Sequence, residues 1–181
     1  MADLRTERRA PRLATTPGVR PLPPAARWIL RGGADARAAA AAALQLPIPD
    51  EACRAAAEGG RAALWLGPDE WLLIAPAADA NATGAALSAA LAAVAHSLVD
   101  VSHRQVALEL TTPQAALLIA AGCPLDLEPG AFPVGMCTRT MLAKAEIVLW
   151  RTGRDEFRIE VWRSFAPYVS AFLGEAVRGI A

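Results

Sequence analysis

Histidine is scarce: His96 and His103 are the two present in 181 residues. With no cysteine beside either, they cannot make a histidine-based metal site. Cys53, Cys123 and Cys137 are odd in number and widely spaced, without a CxxC pair, which excludes a disulfide framework and a zinc ribbon and leaves reduced, buried thiols as the expectation. Net charge is also lacking, since 18 Lys plus Arg face 18 Asp plus Glu, so nothing draws the chain to nucleic acid or an anionic membrane. No apolar run reaches signal-peptide or membrane length, and a cytoplasmic location is expected. Phosphate-binding loops, dinucleotide glycine fingerprints, G-x-S-x-G elbows and H-E-x-x-H helices are all missing, so the sequence offers no recognisable catalytic or cofactor motif.

What is present is enough apolar sequence, 54% of residues, to bury a sizeable core. Residues 1–24 are basic and Pro-rich with few large apolar side chains, and read as a flexible or partner-wrapping arm. RWILR at Arg27 to Arg31 reads as a strand, and Gly32-Gly33 leads into an Ala-rich helix from Asp35, its expected N-cap, to Leu44. Ala62 to Leu66 and Glu70 to Ala75 form a hairpin turning at Gly67-Pro68-Asp69. Leu87, Leu91, Val94 and Leu98 follow helical spacing, predicting a helix over 81–97 with His96 on its surface.

The stretch LVDVSHRQVALEL, from Leu98 to Leu110, contains two strands in opposite phase. Val99 and Val101 alternate in one register, and Val106, Leu108 and Leu110 in the other. The break at Ser102, His103 and Arg104 marks a bend or a change of sheet. Beyond it, Thr112-Pro113 opens a short helix closed by Gly122. Pro124 to Gly135 is a long apolar loop expected to pack against something. Strands are predicted at 138–142, 146–151 and 156–162, the last with Phe157, Ile159 and Val161 inward and Arg158 and Glu160 outward. Ser164 is expected to cap a final helix.

The two halves repeat. LWLGPDEWLLI from Leu64 and LWRTGRDEFRIE from Leu149 share a pattern, Arg27 and Arg104 open matching strands, and Leu46-Pro47 and Cys123-Pro124 close matching helices. The expected fold is therefore α+β, with two ferredoxin-like (split βαβ) units over 25–102 and 103–181 in one compact domain.

Arg104, Arg139 and Arg163 stand at strand ends, where they can hold the carboxylates of a partner or an anionic ligand, or pair internally with Asp69, Asp100 or Asp155. Trp162 lies in the outward phase of its strand and needs a covering layer or chain. Together with Leu125 and Phe132 of the apolar loop, these residues form the candidate interface. His103 and Asp100 could pair as acid and base, although a local hydrogen bond is the commoner outcome of that spacing.

LGPDEWLL at Leu66 to Leu73, VDVSxRQ at Val99 to Gln105, Arg139-Thr140 and RSFAxY at Arg163 to Tyr168 together resemble the gamma subunit family of heterotetrameric sarcosine oxidase. The resemblance runs from about Arg27 to the end, with the basic arm outside it and His103 standing where the family often has an acidic or other polar residue. It implies a fold similar to the folate-binding part of aminomethyltransferases. It also implies a non-catalytic subunit that assembles and stabilises a complex oxidising sarcosine to glycine, with tetrahydrofolate and oxygen as acceptors. FAD, FMN and NAD would then belong to large alpha and beta subunits, zinc to a small delta subunit, and none to this chain. The alternative is a stand-alone folate-binding or aminomethyltransferase-like protein.

Overall fold

A computed structural model describes residues 11, 13 and 16–180. In chain order the strands are β1 (Val19–Pro21), β2 (Ala25–Gly32), β3 (Ala55–Glu58), β4 (Arg61–Gly67), β5 (Glu70–Pro76), β6 (His96–Asp100), β7 (Gln105–Thr111), β8 (Cys137–Leu142), β9 (Ala145–Gly153) and β10 (Glu156–Trp162). The helices are α1 (Ala34–Leu44), α2 (Ala80–Leu91), α3 (Ala115–Ala120) and α4 (Ala166–Ile180).

The strands build two antiparallel five-stranded sheets, ordered β3-β4-β5-β2-β6 and β8-β9-β10-β7-β1. The orders coincide when β7, β8, β9 and β10 are laid on β2, β3, β4 and β5, so the duplication seen in the sequence is a duplication of fold. The edge place that β6 fills beside β2 is filled beside β7 by β1, which pairs Val19 with Leu110 and Pro21 with Leu108. Val19–Pro21 lies inside the segment read as an arm. Here it is held by its own chain, because β7 would otherwise leave a row of unpaired backbone groups next to a buried core. Residues 1–10, 12, 14 and 15 of that segment lie outside the described residues.

Each sheet is covered on both faces. Helices α1 and α2 pack on one sheet around Trp28, Leu30, Trp71, Leu73, Leu87 and Leu91. On the other, α3 and α4 pack around Leu108, Ile119, Phe157, Ile159 and Leu173. The remaining two faces meet each other through Leu64, Leu72, Ile74, Cys137, Val148 and Trp150. Strand β5 illustrates the result: Trp71, Leu73 and Ala75 face helices while Leu72 and Ile74 face the other sheet, so the strand is apolar from Trp71 onward rather than alternating.

That second covered face changes the reading of β10. Phe157, Ile159 and Val161 do point to the helical layer, but Glu160 is not solvated: it is 0% exposed. The opposite sheet covers it, and Arg27 of β2 supplies the compensating charge, with Nε 2.7 Å from Glu160 Oε2. Arg158 completes the cluster, its Nε 2.9 Å from Glu160 Oε1.

Several local expectations shift for tertiary reasons. The helix predicted over 81–97 stops at Leu91, and His96 belongs to β6, because pairing with β2 offers 96–100 a full ladder against which Ala-rich helix propensity loses. Gly33, not Asp35, is the N-cap of α1, and Asp35 lies in the first turn, where its charge suits the helix dipole. The N-cap of α3 is Gln114, whose backbone N–H donates to Thr112 Oγ1 at 3.5 Å. Gly122 follows α3 because a Cβ there would lie 2.5 Å from Phe172 Cζ, not because a left-handed turn requires it. Strand β3, an Ala-Ala-Ala-Glu segment with weak strand propensity, is recruited by its hairpin with β4.

Candidate partner-binding site

The change of phase between Val101 and Val106 is a change of sheet: β6 belongs to one sheet and β7 to the other. The connecting turn is held by Arg104 N–H donating to Val101 O and by Ser102 N–H donating to Asp100 Oδ1, both at 2.9 Å. Asp100 is thus spent on the turn, and His103 is exposed with no hydrogen bond among the described residues, so the two do not form an acid–base pair.

Arg104 leaves this turn with its guanidinium carbon 5.1 Å from the centroid of Trp162. Backbone pairing sets the approach, because Gln105 faces Trp162 in the β7–β10 ladder and Arg163 N–H donates to Arg104 O at 2.8 Å. The Arg104 side chain has no carboxylate partner among the described residues, and its Nε is buried without an acceptor. Trp162 remains 42% exposed, the outward position expected of it. Phe165 and Tyr168, which follow in sequence at the start of α4, are also exposed.

Arg139 reaches the same place from β8. Its guanidinium grips both carboxylate oxygens of Glu70, at the start of β5, which joins the two sheets at this end. The hydrogen bonds from Arg139 hold the Glu70 carboxyl below its usual value, despite the opposing effect of burial. Arg139 therefore pairs internally, though with Glu70, while Asp69 takes Arg31 at 2.9 Å. Arg104, Gln105, Arg139 and Trp162 all line a cavity of about 290 Å³ whose floor includes Ile29, Leu66 and Val148. Arg163 lies on the far side of Trp162, lining a shallower groove with Val99, His103 and Ser164.

The loop residues separate from this group. Phe132 is 1% exposed, stacked 6.4 Å from Phe157 inside the chain's own core, and so is not a surface residue. Leu125 is half-buried against the same core. The organiser of the loop is Arg151, which the sequence reading did not single out: its Nη1 donates to Leu127 O at 3.1 Å and Phe132 O at 2.9 Å. Among the described residues no three His, Cys, Asp or Glu side chains are grouped to hold a metal, and no helix is long and apolar enough to cross a membrane.

Apart from Ile29, this geometry falls within residues 31–178, which match the model of the sarcosine oxidase, gamma subunit family. The chain belongs to that family. A sarcosine oxidase gamma subunit from an Arthrobacter species is 39% identical over 147 residues, 81% of this chain and 67% of that protein. One from Corynebacterium sp. strain P-1 is 36% identical over 169 residues, 93% and 78% of the two chains. The heterotetrameric sarcosine oxidase of Corynebacterium sp. U-96, solved with pyrrole 2-carboxylate, contains a chain that superposes with a TM-score of 0.83 at 34% identity, covering 89% of this chain and 83% of that one. An aminomethyltransferase T of the glycine cleavage system from Bartonella henselae shares the fold alone, with a TM-score of 0.66 at 17% identity over 89% of this chain and 48% of its own length. These likenesses favour the gamma subunit reading over a stand-alone folate-binding protein.

Proposed function

We propose that this gamma-family chain is a subunit of a heterotetrameric sarcosine oxidase-like complex. In that complex sarcosine is oxidatively demethylated to glycine, with tetrahydrofolate and oxygen as acceptors, and this chain serves assembly rather than chemistry. Large alpha and beta subunits carry FAD, FMN and NAD in this reading, and a small delta subunit carries zinc. The observation that supports it best is the exposed Trp162 with the Arg104 guanidinium held over its ring. Tryptophan, tyrosine and arginine are the residues that dominate binding at protein interfaces, and a half-exposed tryptophan with an arginine over its ring is the kind of anchor such interfaces use. Arg104, Arg139, Trp162 and Arg163 then form the contact face.

Affinity purification of the tagged chain from its native cell tests the proposal. Two large companions and one small one, with a flavin absorption spectrum, are expected. A colourless protein recovered alone would refute it.

A further inference from the structure

We infer that the cavity behind Trp162 is a socket for one acidic side chain, aspartate or glutamate, of the subunit that docks on this face; the inference rests on the assembly role above. Two buried polar atoms on its lining residues are left without partners, Arg104 Nε and Gln105 Oε1. Buried polar groups without hydrogen bonds are rare in folded proteins because each has lost its water without a replacement, so an orphan donor and an amide on neighbouring residues ask for an external group.

The sign follows from the charge that is both partly buried and unmet on the lining, which is Arg104, since Glu146 stands in water. The Arg139 cation is met by Glu70, and Glu146 at the rim is exposed and acts on Arg139. Arg104 has only the face of Trp162. A carboxylate entering the cavity accepts from Arg104 Nε, and a half-turn of the Gln105 amide presents its NH₂ group to the second carboxylate oxygen. The volume of about 290 Å³ is larger than one side chain requires, and Ile29, Leu66, Ile147 and Val148 supply walls for its methylene stem. A protein donor is favoured over a small free acid because the mouth opens beside exposed Trp162, a contact surface a small ligand would leave uncovered.

The test is assembly of the co-expressed complex with this chain carrying Arg104→Met, which keeps length and removes the charge. Affinity for the other subunits should fall about tenfold to a hundredfold, with weaker dependence on salt, while the isolated variant melts with wild type. Arg104→Lys, retaining charge but not Nε, serves if the Met variant does not fold, and should also weaken assembly at least tenfold. Wild-type affinity in the folded variants overturns the socket while leaving the assembly role standing. Failure of the wild-type chain to assemble overturns the assembly role itself, and the socket with it. Saturable binding of glutarate to the isolated wild-type chain, with assembly of the variants unchanged, would assign the cavity to a free acid and overturn the protein donor.

Discussion

Arg27 Nε donates to Glu160 Oε2 at 2.7 Å across the junction of the two sheets, with 1% and 0% of the two residues exposed. The pair joins residues 133 positions apart in sequence, with Arg158 as a second cation on Glu160, and lies beside the apolar contacts between the sheets. Removing the Glu160 charge leaves Arg27 unpaired out of water, so Glu160→Gln should cost about 3–5 kcal/mol at neutral pH, and Arg27→Met should cost less because Arg158 still meets the carboxylate. Burial alone would raise the Glu160 carboxyl, but the charges of Arg27 and Arg158 outweigh it and hold it below the ordinary value of 4.5. Its contribution is therefore complete above that ordinary value and is lost as pH falls through the lower, folded one. Urea unfolding at neutral and acid pH should show the gap between wild type and Glu160→Gln closing only below about pH 4; a gap that stayed constant down to pH 2 would contradict the assignment.

Trp162→Ala and Arg163→Ala should weaken assembly with the other subunits by about 2 kcal/mol or more each while leaving the isolated chain's melting temperature close to wild type. Pull-down titration and thermal melting separate the contributions. If assembly is unchanged, or the chain's own stability collapses, these residues serve the fold and not the interface.

Gly32 ends β2 where α1 begins, and a Cβ built there lies 2.5 Å from Ala36 Cβ and 3.3 Å from Ala95 O. Neither neighbour can swing aside, since one is fixed to the first turns of the helix and the other is backbone. Gly32→Ala should therefore destabilise the chain by about 1–3 kcal/mol, read by denaturant unfolding. Gly33→Ala meets nothing within 4 Å and should be nearly neutral.

The three cysteines should react unequally. Burial pushes the Cys137 thiol up to about 12, and its Sγ lies 3.3 Å from Arg54 O and 3.5 Å from Trp65 O. Cys123 is buried as well, whereas Cys53 is half-exposed. Iodoacetamide at pH 8 should label Cys53 alone in the native chain and all three after denaturation, as mass spectrometry would show. Rapid native labelling of Cys137 would mean that the sheet junction opens.

The sequence by itself determined the duplication, the fold class, most strand positions and the break at Ser102 to Arg104, because turn residues and alternating apolar positions are local signals. It also placed Trp162 outward and marked Arg104 and Arg139, since a large aromatic or a strand-end arginine is conspicuous in a short window. Only the tertiary structure decided that Glu160 is buried and paired with Arg27: alternation distinguishes two faces of a strand but not whether a second sheet covers the polar one. For the same reason Phe132 became core, as an apolar loop looks alike whether it meets its own helices or another chain. Strand β1 exists because the edge of β7 offered it hydrogen bonds, and His96 and Ser97 joined the strand already legible from Leu98 because β2 offered them the same.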